Sequence, residues 1–167
     1  MNTIIVGFSK PIKWKPFSWL IMTAYGIPYD HVYIRFHSSK YDRDLIYQAS
    51  GLAVNFMGST IFNSLAVTVK EFSVNLEDGE AIPFMQFCID NAGKPYGIKD
   101  IFGLAWVRIC AIFGKKVTNP VNDGQNSWVC SEIGAFIVKN FAGANITEAI
   151  DEVTPLDLFN YLNANQG

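Results

Sequence analysis

The residue best suited to covalent chemistry is Cys130, one of three cysteines in the 167-residue sequence. Ser127 is a suitable N-cap residue, so the pattern predicts a helix over residues 128–141 with Cys130 in its first turn. A thiol there lies at the positive end of the helix dipole, beside unpaired backbone N–H groups, and both favour the nucleophilic thiolate. The same N–H groups can stabilise an oxyanion. The competing interpretation is a buried structural cysteine, as predicted for Cys88 and Cys110 within apolar helical segments.

A thiol nucleophile usually needs a histidine as its base, and the sequence contains only His31 and His37. Both lie in a segment with strand character. Alternation along a strand puts both histidines on one face and predicts a core face of Val32, Ile34 and Phe36. The histidines are then about 20 Å apart, so only one of them can serve Cys130. Alternation alone does not say which, and a solvent-facing histidine remains the alternative for each.

A third polar residue should orient the imidazole ring. The next predicted strand carries Gln48, whose side-chain oxygen can accept a hydrogen bond from a ring N–H. An amide is uncharged and cannot form an ion pair with the imidazolium, so a Cys/His pair is expected to carry most of the chemistry. The alternative is an ordinary strand glutamine.

Composition narrows the class of protein. Half of the residues are hydrophobic and the formal net charge is −2, which excludes disorder for the bulk of the chain and argues against nucleic-acid binding. The densest basic segment, residues 10–15, is interpreted as a solvated turn. The scattered cysteines predict free thiols, with neither a disulfide framework nor a zinc site, and no cofactor is expected.

The apolar segments are too short to predict a membrane span. Residues 1–7 lack the pattern of a signal peptide, which favours a cytoplasmic protein. Residues 101–113 form an apolar stretch of about 13 residues, where a membrane span needs about 20, so a buried or interfacial helix is expected. Peripheral membrane contact through this helix is one interpretation.

Periodicity and turn residues predict strands followed by helices, which is the α+β class, in a single domain over residues 1–167. The predicted strands are residues 3–8, 31–37, 45–49, 52–57 and 66–74. The predicted helices are residues 17–25, 82–92, 98–113, 128–141 and 155–162. Residues 115–127 form a long loop, a length more often functional than incidental.

Several motifs together resemble a known superfamily. Residues 92–97 (AGKPYG) and 129–133 (VCSEI) look like the segments around the nucleophile in the NlpC superfamily of papain-like cysteine hydrolases. No histidine follows Cys130, as one does in standard members. Residues 29–34 (YDHVYI) and 46–54 (IYQASGLAV) instead resemble the histidine strand and the following strand of the circularly permuted branch. The resemblance extends from about residue 18 to residue 158 and implies an antiparallel sheet packed against helices.

The resemblance implies roles for individual residues. Cys130 takes the position of the nucleophile and His31 that of the base. Gln48 takes the orienting position, where relatives often carry an acidic residue. The candidate substrate-binding residues are Tyr96 (alternatively a packed aromatic), Gln125 (a possible oxyanion donor) and Trp128. Glu132 matches the Cys-Ser-Glu pattern, for which a capping contact or a salt bridge is the simplest interpretation.

The resemblance implies hydrolysis of an amide bond through a thioester, with peptidoglycan-type peptides as a common substrate class. It also allows an acyltransferase or lipase acting on membrane lipid, because permuted relatives include lecithin:retinol acyltransferase-like enzymes. A non-catalytic binding domain of the same fold is the third alternative. A cell-wall substrate fits poorly with a chain lacking a signal peptide, so delivery by lysis or in a virus particle, in a bacterial or phage setting, is the corresponding expectation.

Overall fold

The chain has an α+β architecture built on one five-stranded antiparallel sheet. A computed structural model describes residues 2–97, 110, 114, 117 and 127–165. The strands are β1 (Thr3–Pro11), β2 (His31–Ser38), β3 (Arg43–Ser50), β4 (Ala53–Gly58) and β5 (Ala66–Asn75). They lie side by side in the order β4-β3-β2-β1-β5, and every neighbouring pair is antiparallel. The predicted α+β class is therefore confirmed.

The described helices are α1 (Pro16–Tyr25), α2 (Ser59–Leu65), α3 (Ala81–Asn91), α4 (Cys130–Phe141) and α5 (Pro155–Ala164), with a 3₁₀ turn at Ile150–Glu152. Helix α5 begins with a capping box, in which Thr154 Oγ1 accepts from the Asp157 N–H and Asp157 Oδ2 accepts from the Thr154 N–H. The predicted helix over residues 98–113 lies outside the described residues, apart from the buried Cys110. The predicted loop over 115–127 lies outside them except for Val117 and Ser127.

The alternation predicted along β2 is confirmed. Val32, Ile34 and Phe36 are buried in the main core, which lies between the sheet and helices α3, α4 and α5. Cys88 is buried within α3, as expected of a structural thiol. Val32, Ile34 and Phe36 fix the orientation of the strand, because their side chains all project from the same face and are removed from water there.

The opposite face of the sheet is also partly covered, which alternation along β2 did not predict. Strands β4 and β5 lie at opposite edges, so the chain between them crosses the sheet, and α2 lies in this connection. Phe62 of α2 packs its ring 4.5 Å from that of Tyr33, centroid to centroid. The Tyr33 ring lies directly over Gly7, where a Cβ atom would come within 2.1 Å of it. This second layer creates a sheltered space on the histidine face.

Candidate active site

Cys130 is the first residue of α4, and the chain reaches it through a short strand-like contact. Trp128 pairs in parallel with Tyr96, with its N–H donating to Pro95 O at 3.1 Å and its carbonyl accepting from the Gly97 N–H at 3.0 Å. This pairing holds Trp128 extended, so the helix starts two residues later than predicted. Val129, not Ser127, is the N-cap residue. The N-cap prediction at Ser127 was therefore wrong, although Cys130 does lie in the first turn.

Glu132 stabilises this helix start. Its Oε2 accepts a hydrogen bond from the Val129 backbone N–H at 2.9 Å, in a buried setting. The contact satisfies one of the unpaired N–H groups at the helix start and places a carboxylate at the positive end of the dipole. Of the two interpretations offered for Glu132, the structure shows the capping contact.

Tyr96 is held between the sheet edge and the start of α4. Its N–H donates to Leu52 O at 3.1 Å, and the Val54 N–H donates to Lys94 O at 2.9 Å, so this segment pairs with β4. On its other side Tyr96 pairs with Trp128. The Tyr96 hydroxyl hydrogen-bonds the Cys130 thiol. One tyrosine thus joins the edge strand to the candidate nucleophile.

His31 begins β2 and contacts Gln48 on β3. The register pairs Ile34 with Tyr47, which puts His31 and Gln48 diagonally across the same face of the two strands. His31 Nε2 and Gln48 Oε1 are 2.8 Å apart. The predicted contact between the candidate base and its orienting residue is therefore present.

A chain of amide contacts decides how Gln48 is oriented. Asn55 Nδ2 donates to Ala53 O at 3.0 Å, which leaves Asn55 Oδ1 to accept from Gln48 Nε2 at 3.4 Å. Gln48 Oε1 then faces His31, and it can only accept. His31 Nε2 must therefore carry the proton, and the lone pair resides on Nδ1, the ring nitrogen nearer to the backbone. Asn55 is thus a positioning residue that sequence reasoning missed.

The Cys130 sulfur lies beside the backbone of Val32, the residue that follows His31. Hydrogen bonds from the N–H of Val32, the N–H of Ser131 and the Tyr96 hydroxyl all favour the thiolate. Burial acts in the opposite direction and is the largest effect, with Asp30 adding repulsion, so the pKa of Cys130 is raised to about 11. The N–H groups therefore favour the thiolate as expected, but desolvation outweighs them and the net effect is a raised pKa.

The pKa of His31 is lowered, first because burial disfavours the imidazolium and then because Lys15 repels it, against the opposing effects of Gln48 and Asp30. Burial also raises the pKa of Tyr96 well above its usual range, and the neighbouring Cys130 thiol raises it further. At neutral pH the site therefore holds a neutral thiol, a neutral imidazole and a protonated phenol, which can donate a hydrogen bond.

A cleft of about 410 Å³ opens on this site. Its lining includes the polar residues Asp30, His31 and Gln48, together with Tyr96. The other walls come from β1, α1, β4 and the α2 region; their apolar members are Pro11, Ile21, Met57, Phe62, Leu65 and Ala66. The cleft lining therefore combines polar residues, among them His31 and Gln48, with a set of apolar side chains.

The three candidate substrate-binding residues have different outcomes. Tyr96 lines the cleft. Trp128 is only 3% exposed, and its indole N–H donates to Asn91 Oδ1 at 3.0 Å in the core. Its side chain therefore packs in the core and is not among the cleft-lining residues. Gln125 lies outside the described residues. Cys130 is 2% exposed and is not among the cleft-lining residues; Tyr96, which does line the cleft, forms a side-chain hydrogen bond with its thiol.

Sequence reasoning also missed two polar groups in the cleft. Asp30 Oδ1 and Ser9 Oγ are buried, and neither has a hydrogen-bond partner among the described residues. Unpaired buried acceptors are costly, so such atoms are expected to be satisfied by a bound molecule or by water. The signal for Asp30 was its position directly before His31, but nothing in the pattern of Ser9 marked it.

Two further observations concern the described part of the chain. Its histidine, cysteine, aspartate and glutamate side chains form no group of three or more suited to a metal ion. It also contains no helix that is long and apolar enough to cross a bilayer. Comparison with known proteins adds no family assignment, since no family model and no curated protein sequence matches the chain.

Proposed function

We propose that the protein is a cysteine hydrolase of permuted papain-like type, in which Cys130 attacks an amide carbonyl and His31 is the base. The observation that carries this proposal is the 2.8 Å contact between His31 Nε2 and Gln48 Oε1, next to a cysteine at a helix start. The sulfur receives a hydrogen bond from the N–H of Val32, the residue that follows His31. This contact with the residue next to His31 supports the assignment of His31 Nδ1, which carries the lone pair, as the acceptor of the thiol proton.

The protonation states define the reaction. Because both partners are neutral, His31 Nδ1 takes the thiol proton as the sulfur forms its bond to the carbonyl carbon, and the carbonyl π electrons move to the oxygen. We assign the donor to that oxygen to the Tyr96 hydroxyl, which stays protonated and lies next to the sulfur. His31 then gives the proton to the departing amine as the C–N bond breaks. Water then attacks the thioester carbonyl while His31 accepts its proton; the C–S bond breaks, the carboxylic acid leaves and His31 returns the proton to the Cys130 sulfur.

The cleft favours a substrate with an N–H donor near the scissile bond. Asp30 Oδ1 and Ser9 Oγ are unsatisfied polar atoms of residues that line the cleft near His31, and an amide or amine could donate to them. Peptides, including peptidoglycan-type peptides, carry such N–H donors next to each amide bond. A simple ester lacks such a donor.

One observation favours a second candidate substrate. The apolar wall formed by α1, β4 and α2 suits an acyl chain, so an acyltransferase or lipase acting on membrane lipid is the alternative activity. A non-catalytic binding domain would keep the same cleft but form no acyl-enzyme. Formation of a covalent intermediate therefore separates both enzyme candidates from the third.

The test is acyl-enzyme formation with p-nitrophenyl acetate, followed by intact mass measurement and peptide mapping. We expect a burst of nitrophenolate and an acetyl group on Cys130. Cys130→Ala should abolish both. Cys88→Ala is the matched control, because Cys88 is an equally buried thiol whose pKa is raised by burial alone, and it should behave as the native chain does.

Two results would contradict the proposal: a burst that survives in Cys130→Ala, or acetylation of Cys88 in place of Cys130. The substrate class is then decided by supplying purified cell-wall peptides or phospholipid vesicles to the native chain. Release of new amines supports amide hydrolysis, and release of fatty acid supports the lipid alternative.

A further inference from the structure

The mouth of the cleft carries an unusual combination of exposed residues. The segment between β1 and α1, together with the first turns of α1, exposes large apolar side chains between lysines. We call this surface the lysine–tryptophan rim; it consists of Lys10, Ile12, Lys13, Trp14, Lys15 and Trp19. Trp14 is 72% exposed and Trp19 is 53% exposed. Exposed tryptophans are uncommon on a surface that meets only water, since indole prefers an environment that is part apolar and part wet.

The rim is fixed to the body of the protein next to the active site. The Ile12 N–H donates to Leu65 O at 3.0 Å, which ties the rim to the end of α2. Lys10 and Lys15 line the cleft itself, and Lys15 is close enough to repel the protonated form of His31. Leu65, which is also exposed, lines the cleft and adds a further apolar side chain to this region.

The charge of the rim is opposite to that of the whole chain. The sequence has a formal net charge of −2, yet residues 1–29 contain three lysines and no acidic residue. The segment of residues 45–70, which includes α2, also lacks acidic residues. Asp30 is the one carboxylate among the residues lining the described cleft, and it directly precedes His31 in the chain. No ion pair among the described residues engages Lys10, Lys13 or Lys15.

We propose that the lysine–tryptophan rim binds the surface of an anionic lipid bilayer, which places the cleft mouth against the membrane. Lysines interleaved with tryptophan and aliphatic side chains match the two components of such a surface, namely anionic headgroups and the boundary of the acyl chains. An acidic protein partner would satisfy the lysines but would leave Trp14 and Ile12 without an apolar environment. The binding is a property of the rim and does not depend on the proposed chemistry of Cys130.

The experiment is co-sedimentation with vesicles of phosphatidylcholine alone or mixed with phosphatidylserine, at low and physiological salt. The native chain should bind the mixed vesicles more tightly, and salt should weaken the binding. Lys13→Gln should lower the partition coefficient about fivefold, as expected for one basic residue at an anionic surface. Trp14→Ala should lower it about tenfold through lost apolar burial.

Matched controls are Lys139→Gln and Ile82→Ser, which remove an exposed lysine and an exposed aliphatic side chain far from the rim in sequence. Both should bind as the native chain does. Cys130→Ala should also bind normally, so loss of activity and loss of binding can be told apart.

Three results would overturn the inference. The first is a native chain that shows no preference for anionic vesicles. The second is binding by Lys13→Gln and Trp14→Ala that equals binding by the native chain, which would assign binding to another part of the protein. The third is binding of polyglutamate without binding of vesicles, which would assign the rim to an acidic polypeptide.

Discussion

The two ends of β2 carry the same residue type in different surroundings. His31, at the start of the strand, contacts a neutral amide on β3, with Nε2 2.8 Å from Gln48 Oε1. His37, at the far end, contacts a carboxylate on β3, with Nδ1 3.0 Å from Asp44 Oδ1. His37 is exposed and its Nε2 lies 3.6 Å from Asp42, whereas His31 lines the cleft.

The comparison separates two uses of a histidine. At the His37 end, Asp44 also contacts Arg35 at 3.1 Å, and its pKa is lowered by the hydrogen bond from His37 and by that from Arg35. This is an exposed ion-pair cluster of the kind that contributes little to stability. At the His31 end, burial keeps the imidazole unprotonated against the opposing effect of Gln48, so its lone pair is available to a thiol. The His31 end is buried beside the cleft and the His37 end is exposed, and it is this burial that distinguishes the candidate base.

The largest effect is expected from removing each histidine in turn. His31→Gln should lower kcat/KM for the substrate identified by the acyl-enzyme test about 10³-fold, because the general base is lost. His37→Gln should leave it unchanged. Steady-state kinetics on the two purified variants measures the difference, and equal losses in both would remove the distinction between the two ends of β2.

A smaller effect is expected from the residues that face the two histidines. Gln48→Leu should lower kcat/KM about 10²-fold, because the ring loses the acceptor that sets its orientation and tautomer. Asp44→Leu at the other end should not change it. Gln48→Glu tests the need for neutrality: a carboxylate raises the pKa of His31, so the acidic limb of the pH–rate profile should move to higher pH. A profile that stays in place would argue against His31 as the titrating base.

The smallest effect is on stability. Because the pKa of His31 in the folded chain is below its ordinary value of 6.5, the unfolded chain binds more protons as the pH falls below that value. Stability should therefore decrease from about pH 6.5 downward and level off below the folded pKa. Urea unfolding midpoints between pH 8 and pH 5 measure this. His37→Gln should keep the decrease and His31→Gln should lose it; a decrease that persists in His31→Gln would assign it to other groups.

Much of the sheet follows from local pattern. The alternation of Val32, Ile34 and Phe36 predicts which face of β2 is buried, and Cys88 within an apolar helix is correctly interpreted as a structural thiol. Helix α2 was not predicted, since its seven residues are too few for a clear helical period and its position depends on the sheet order. Trp128 was placed at the substrate, whereas the pairing of its backbone with Tyr96 turns its side chain into the core.

The candidate site was also predicted only in part, because local pattern identifies some of its residues and tertiary contacts decide the others. Gln48 was found because strand parity and adjacency restrict which residues can face His31. Asn55 was not found, because its effect passes through Gln48 and depends on the register of β3 with β4. The choice of Ser127 as the N-cap residue failed because Trp128 is held extended by a partner that lies far away in sequence.

The sequence by itself determined the α+β class, the buried face of β2 and the position of Cys130 in the first turn of a helix. These depend on strand alternation and helix propensity, which act between residues close together in the chain. Only the tertiary structure decided which histidine lies at the cleft and which form of the thiol is present. Both depend on burial: the packing of distant elements removes water from Cys130 and His31, and desolvation then outweighs the hydrogen bonds that favour the thiolate.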